Sequence, residues 1–103
     1  MQIEDKYLEQ YVLMCSTISK PVRLKILYTI GDGKMNVSSL QKELDVPMSN
    51  LSNHLNALYR AGILAKEKEG NFVFYYLTEP ELIKGIGNMQ KIVTKINSKQ
   101  HAL

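Results

Sequence analysis

Apolar residues recur along most of this 103-residue chain at the three- and four-residue spacing of amphipathic helices. Two later runs are instead rich in β-prone residues and flank Glu69-Gly70-Asn71, which is typical of a hairpin. Met35–Val37 is short and extended and is a candidate strand of a small sheet. The pattern predicts helices over residues 3–17, from Pro21 to a stop at Gly31, over 38–44, over Val46–Gly62 and over 79–98, with strands at Ile63–Lys68 and Phe72–Leu77.

This order of elements predicts a single, mainly α domain with a small β-hairpin. Two helices over 38–61, joined by the tight connection Asp45-Val46-Pro47, form a helix-turn-helix, and the hairpin over 63–77 follows as a wing. The predicted fold is therefore a winged helix-turn-helix in the order α-α-α-α-β-β-α. Ser38 with Gln41, and Thr78 with Glu81, resemble capping boxes and predict where the third and last helices start.

The fourth helix separates an apolar face from an unusual polar face. Leu51, Leu55 and Leu58 share one side, and no carboxylate occurs between Asp45 and Glu67. A solvated helix face usually mixes Glu with Lys, whereas Ser, Asn and Arg suit base edges and phosphates. Capping-rich sequences can look similar, so plain solvation is the alternative. The polar face and its flanks comprise Ser49, Asn50, Ser52, Asn53, Asn56 and Arg60.

Composition and charge agree with a DNA partner but do not prove one. The chain is 45% apolar and 22% charged, as in soluble globular proteins, and carries a formal net charge of +3. That mild excess is compatible with an anionic partner. The sequence has no charged-then-apolar leader and no run long enough to span a bilayer, so we expect a cytoplasmic protein with no membrane partner. If it binds the DNA of a prokaryote, we expect it to be nucleoid-associated.

Three stretches in register resemble the ArsR/SmtB family of winged-helix repressors. Ser19–Leu27 is similar to its "xxPxRLxIL" second helix, Pro47–Leu55 to its "SxSxVSxHLxxL" recognition helix, and Gly62–Leu77 to its "AGLV…GRxxYYxL" wing. Together they cover about residues 19–77. The resemblance implies a homodimer that binds an inverted-repeat operator in double-stranded DNA, usually as a repressor released by a small-molecule or protein inducer.

With this resemblance, the polar face becomes a set of candidate DNA contacts. Arg60, at the far end of the helix, suits a phosphate better than a base, and Pro47 and Met48 could merely set the entry angle of the helix. We interpret His54 as a core-edge histidine and expect Arg23 to form an internal salt bridge. The candidate DNA-binding residues are Pro47, Met48, Ser49, Asn50, Ser52, Asn53, Asn56, Arg60, Lys66, Lys68 and Asn71, the last standing where the family usually carries a basic residue.

The first and last helices are predicted to carry apolar stripes too broad for so small a domain to cover completely. Burial against a twofold mate is a common solution, and packing of the two helices on each other within one monomer is the alternative. Residues 1–18 and 79–98 are therefore the predicted dimerisation helices. The candidate interface residues are Tyr7, Tyr11, Cys15, Leu82, Ile86, Met89, Val93 and Ile96.

The familiar metal-sensing residues of the family are missing from the chain. Asn36 and Ser38 stand in the region where thiophilic-metal sensors carry "CxC", and the predicted last helix contains no Asp or His. We therefore predict no metal and no cofactor. Cys15 is the single cysteine; apolar packing is its expected role, and redox control through it is an alternative.

The predicted function is a dimeric, sequence-specific DNA-binding regulator, most simply a repressor. A winged-helix module that docks another protein is the alternative from a different class, motivated by the broad apolar first and last helices. Enzymatic function has little support, because the sequence shows no Gly-rich phosphate loop, metal cluster or nucleophile–base pair at motif spacing.

Overall fold

Five helices and a three-stranded antiparallel sheet make up the computed structural model, which describes residues 3–102. The mainly helical fold with a small hairpin is as predicted. The first two residues of the predicted 1–18 helix lie outside the described range. The elements are α1 (Asp5–Ile18), α2 (Pro21–Ile30), β1 (Met35–Asn36), α3 (Val37–Leu44), α4 (Met48–Arg60), β2 (Leu64–Glu69), β3 (Phe72–Leu77) and α5 (Leu82–Ala102).

The core is built around the apolar face of α4. Leu51, Leu55 and Leu58 are at most 1% exposed, because their i, i+4, i+7 spacing keeps all three on one side of the helix. Burial of one such side chain contributes about 1.5–3 kcal/mol. The opposite face of α4 must therefore point to solvent. The other buried apolar residues are Ile26, Leu27, Ile30, Leu40, Ile63, Leu64 and Leu77.

The helix-turn-helix begins at Asn36 and not at Ser38. The Asn36 side chain accepts a hydrogen bond from the Ser39 backbone N–H at 2.9 Å, so Asn36 is the N-cap and α3 starts at Val37. The predicted Ser38–Gln41 capping box is therefore wrong. The cause is tertiary, since Met35 and Asn36 pair with Tyr75 and Phe74 of β3, and this pairing fixes where the extended backbone ends.

The turn between α3 and α4 depends on a left-handed residue. Asp45 has φ of +51° and donates its backbone N–H to the Gln41 carbonyl at 2.8 Å, which ends α3. Asp tolerates this conformation better than most residues. Pro47 is the N-cap of α4, which begins at Met48 and ends at Arg60. Gly62, two residues after the helix, has φ of +77°.

The wing is a hairpin whose central strand is β3. The strand order is β1-β3-β2, with Leu64 paired to Leu77 at one end and Glu69 to Phe72 at the other. The two-residue turn places Gly70 first with φ of +60°, a backbone conformation that glycine adopts without a Cβ clash. The alternation of the strands then assigns successive side chains to opposite faces of the wing.

The last helix begins three residues later and ends four residues later than predicted, at Leu82 and Ala102 instead of 79 and 98. Thr78 does not cap it, because α5 starts four residues after Thr78, and the Thr78 hydroxyl instead donates to the Gly62 and Ile63 carbonyls at 2.7 and 3.1 Å. Because the helix ends later, the backbone of residue 101 is helical, although this histidine was predicted to lie beyond the helix. Within residues 3–102, no helix combines the length and the apolar character needed to cross a membrane.

Candidate nucleic-acid interface

The polar side of α4 forms a continuous exposed surface. Ser49, Asn53 and Asn56 are exposed on successive turns, directly opposite the buried leucines. Within the described part of the chain, their side chains make no hydrogen bonds, so the amide and hydroxyl groups are available to a ligand. The same holds for the other predicted contacts on this helix, Asn50, Ser52 and Arg60.

The start of α4 is also open. Pro47 is the N-cap and offers no side-chain acceptor, and Met48 is 40% exposed. The first backbone N–H groups of a helix carry partial positive charge and bind phosphates well when no side chain caps them. Pro47 and Met48 therefore lie at the end of the helix that suits an anionic backbone.

His54 is turned away from this surface and held by α2. Arg23 donates from Nε to His54 Nδ1 at 3.1 Å and from its guanidinium to the Thr17 carbonyl at 2.8 Å. The predicted core-edge position of His54 is confirmed, whereas the predicted salt bridge of Arg23 is wrong, because its partners are a ring nitrogen and a carbonyl. Desolvation, with Arg23 and Lys20 nearby, lowers the pKa of His54, so the ring stays neutral and can accept.

The wing separates its charges by face. Lys66 and Lys68 alternate with Glu67 and Glu69 along β2, so the two lysines share one face and the two acids the other. Lys66 is paired with Tyr75 in the hairpin, and its ammonium group lies near the rings of both Tyr75 and Tyr59 of α4. The basic face of the wing and the polar face of α4 therefore adjoin.

The acidic face of the wing is neutralised by Lys34 from the turn before β1. Lys34 Nζ lies 3.5 Å from Glu67 and forms a closer pair with Glu69, and it also lies over the Phe74 ring at 5.2 Å. The hydrogen bond to Glu69 raises the pKa of Lys34, and the same bond lowers the pKa of Glu69. The negative charges of Glu67 and Glu69 are thus balanced by Lys34 on the face of the hairpin opposite Lys66 and Lys68.

Tyr59 is a residue of this surface that the sequence pattern did not single out. Lys66 Nζ lies 4.2 Å from the centroid of the Tyr59 ring and 5.8 Å from that of Tyr75. Both distances are within the range of cation–π attraction. The available signal was the position of Tyr59, seven residues after Ser52 and so on the same flank of α4. Lys68 and Asn71, farther along the wing, are exposed.

The predicted dimer residues divide into two groups. Tyr7, Tyr11, Met89, Val93 and Ile96 are each at least half exposed, and α1 buries no residue at all within the described chain. The exposed set also includes residues that were not predicted, namely Leu8, Val12, Leu13 and Ile92. By contrast, Leu82 and Ile86 are half-buried against the monomer core, and Cys15 is half-buried with a free thiol.

Among the side chains that the structure describes, those of residues 3–100, no group of three or more His, Cys, Asp or Glu is arranged to hold a metal ion. The polar groups of the surface formed by α4 and the basic face of the wing are amides, hydroxyls, a guanidinium and lysine ammonium groups. Such groups donate and accept hydrogen bonds and attract anions, which are the interactions made with base edges and phosphates.

Known proteins are similar to this chain in sequence and in fold. The helix-turn-helix domain family matches residues 18–67. The biofilm growth-associated repressor of Agrobacterium fabrum is 31% identical over 75 residues, which are 73% of this chain and 64% of the relative. The uncharacterized HTH-type transcriptional regulator MJ1325 of Methanocaldococcus jannaschii is 37% identical over 84 residues, which are 78% of this chain and 93% of that protein.

The solved structure of HlyU from Vibrio cholerae superposes with a TM-score of 0.77 at 29% identity, covering 86% of this chain and 97% of HlyU. The match therefore extends well beyond the helix-turn-helix. Motifs, element order and relatives agree. The chain belongs to the ArsR/SmtB family of winged helix-turn-helix transcriptional regulators.

Proposed function

We propose that this protein is a sequence-specific regulator that binds double-stranded DNA as a homodimer and represses transcription from an inverted-repeat operator. One observation carries the proposal: α4 presents an exposed polar face in a stretch, Val46–Lys66, that contains no carboxylate. An acid-free face avoids repulsion from phosphates while keeping donors and acceptors for base edges. The related repressor of Agrobacterium supports repression over activation.

In this proposal α4 lies in the major groove. Asn53 and Asn56 suit bidentate pairing with adenine, and Ser49 and Ser52 can donate to or accept from several base edges. Arg60, Pro47 and Met48 lie at the two ends of α4 and suit the DNA backbone. Lys66, Lys68 and Asn71 extend the same surface along the wing. Two copies related by a twofold axis would read half-sites about 34–36 Å apart, or a multiple of that distance.

The proposed dimer interface is the exposed apolar surface of α1 and α5. Of the fifteen large apolar side chains that are exposed in the described chain, ten lie on α5, on α1 or just before α1. A concentration of apolar surface of this kind marks an interaction site, and a self-complementary patch is what a twofold dimer requires. We place Tyr7, Tyr11, Met89, Val93 and Ile96 at the centre of this interface and Cys15, Leu82 and Ile86 at its edge.

The test is a fluorescence titration of the protein with duplexes from its own promoter region and with scrambled duplexes. We expect specific binding that weakens as salt rises. Ser52→Ala and Asn53→Ala should each cost on the order of 1–3 kcal/mol per lost base contact. Asn88→Ala and Ser98→Ala make the same chemical changes at exposed positions of α5 and should leave operator affinity unchanged.

Two results would contradict this proposal. Equal affinity for operator and scrambled duplex at physiological salt would remove the sequence-specific function. Equal losses in the α4 and α5 variants would show that the substitutions act through general stability. Mapping of binding sites on the genome would return the operator and the regulated genes together.

We further propose that release from DNA does not depend on a metal, and that the protein is not an enzyme. The first part is supported by Asn36 and Ser38, which lack the thiolate ligands of thiophilic-metal sensors. The second is supported by relatives that are named as regulators. Operator affinity unchanged by added zinc or cadmium would agree with a small-molecule or protein inducer, or with none.

A module that docks another protein is the second candidate function, and the exposed apolar side chains of α1 and α5 favour it. A stable complex with a non-DNA partner, together with no protection of DNA in footprinting, would select it. Redox control through the half-buried Cys15 is a third possibility. If redox control operates, an oxidant should change the DNA affinity of the wild-type protein but not that of the Cys15→Ser variant.

A further inference from the structure

One cation lies where the recognition helix meets the wing. Lys66 extends from β2 across the gap to α4, where its ammonium nitrogen is 4.2 Å from the centroid of the Tyr59 ring. The centroid of the Tyr75 ring of β3 lies 5.8 Å from the same ammonium nitrogen. The Lys66 ammonium group is therefore within cation–π distance of one ring of the helix and one of the wing.

Tyr59 borders the face proposed to read DNA. It follows Ser52 by seven residues and Asn56 by three, so the three side chains share one flank of α4. Tyr59 is 42% exposed, and the next residue, Arg60, is exposed on the polar face. The Lys66 charge thus stands beside the polar face instead of extending freely from the wing.

The ring contact changes what a flexible lysine can do. A free lysine side chain loses much rotamer entropy when it binds a phosphate, because its four-carbon stem must adopt one geometry. A ring face attracts the ammonium group but takes up none of its N–H donors in ordinary hydrogen bonds. A lysine already held over a ring can therefore contact a phosphate with less ordering.

We propose that Tyr59 is a positioning residue, which holds the Lys66 ammonium ready for a DNA phosphate at the boundary between the recognition helix and the wing. The inference rests on the proposed DNA-binding function and adds a residue that was not among the predicted contacts. The phosphate contact itself belongs to Lys66. Tyr59 acts through Lys66.

The wing supplies a matched control. Lys68 lies on the same strand and the same face and is also exposed, yet within the described chain it contacts no aromatic ring as Lys66 does. Replacing either lysine by Met removes one charge and keeps most of the aliphatic stem. Only the Lys66 variant should be energetically coupled to Tyr59.

The experiment is a pair of double-mutant cycles on duplex affinity, each measured over a range of salt concentrations. Tyr59→Leu should weaken DNA binding about two- to five-fold, because the Lys66 side chain must then be ordered when it binds the phosphate. Tyr59→Phe keeps the ring and should bind like the wild type. In the Lys66→Met background Tyr59→Leu should have no further effect, whereas in the Lys68→Met background its full effect should remain.

Salt dependence identifies the phosphate contact. Lys66→Met should lower the slope of log affinity against log salt by about 0.9, the value expected for one phosphate. An unchanged slope would overturn the role of Lys66. An equal effect of Tyr59→Leu in all three backgrounds would overturn the role of Tyr59, because it would then act on general stability or contact DNA itself.

Proton NMR of the free protein separates this inference from the proposed function. A lysine over a ring has upfield-shifted ε-methylene protons, and we expect that shift for Lys66 in the wild type and in Tyr59→Phe but not in Tyr59→Leu. An unshifted Lys66 would overturn the inference even if the protein binds its operator. A wild-type protein that binds no duplex would overturn both the proposed function and this inference.

Discussion

Helices α4 and α5 are both amphipathic, but only α4 has its apolar face buried within a single chain. Leu51, Leu55 and Leu58 of α4 are buried, and the opposite face is polar and exposed. In α5 the first turns pack against the core, whereas Val93 and Met89 farther along are each 58% exposed. The same periodicity in sequence therefore has two different outcomes in the fold.

The difference indicates what kind of ligand each helix requires. Exposed apolar surface costs about 25 cal/mol per Å² relative to its burial, so the stripe on α5 favours another apolar surface. The exposed face of α4 has no such stripe, and its amides and hydroxyls are already solvated. A partner must form a hydrogen bond with each of these polar groups, which favours specific recognition over nonspecific association.

The largest effect should follow from the buried face of α4. Leu55→Ala leaves a cavity at a site that is 1% exposed and should lower the free energy of unfolding by about 2–5 kcal/mol. Asn56→Ala, the next residue on the exposed face, should change it by less than about 0.5 kcal/mol. Urea denaturation at one fixed protein concentration measures both. Similar losses would contradict the assignment of the two faces.

A smaller effect should follow from the exposed stripe of α5. Val93→Glu would place a charge in the proposed dimer interface and should raise the dimer dissociation constant at least about tenfold, because a buried charge without a partner is costly. Thr94→Glu makes the same addition on another side of the helix and should leave association unchanged. Sedimentation velocity measures both variants, and circular dichroism checks that each monomer stays folded. A Val93→Glu protein that remains fully dimeric would move the interface elsewhere.

The sequence predicted those features that depend on neighbours along the chain. The polar face of α4, the strand Phe72–Leu77 and the inward position of His54 all follow from periodicity and motif register. The two predicted capping boxes failed because of contacts between residues distant in sequence. The pairing of Met35 and Asn36 with β3 makes Asn36, and not Ser38, the N-cap of α3. The Thr78 hydroxyl donates to the carbonyls of Gly62 and Ile63.

The contacts that cross between elements could not be predicted in this way. Arg23 was expected to find a carboxylate and instead donates to His54, 31 residues away. Lys66 was predicted as a DNA contact, but nothing in its own strand indicates that Tyr59 lies beneath its ammonium group. Such contacts depend on how α2 and β2 pack against α4, which a one-dimensional pattern does not specify.

The smallest expected effect is on the pH dependence of stability, through His54 of α4, which accepts a hydrogen bond from Arg23. The pKa of His54 is lowered from 6.5 in the folded protein, mainly by desolvation and then by Arg23. Between the folded-state pKa and about pH 6.5 the unfolded chain therefore binds more protons, so stability is full above this window and falls as pH drops through it. His54→Gln keeps an acceptor for Arg23 but cannot titrate. Thermal unfolding from about pH 8 to about pH 5.5, a range above ordinary carboxylate pKa values, should show a fall in the wild type that is reduced in this variant. An identical fall in both proteins would assign the pH dependence to a group other than His54.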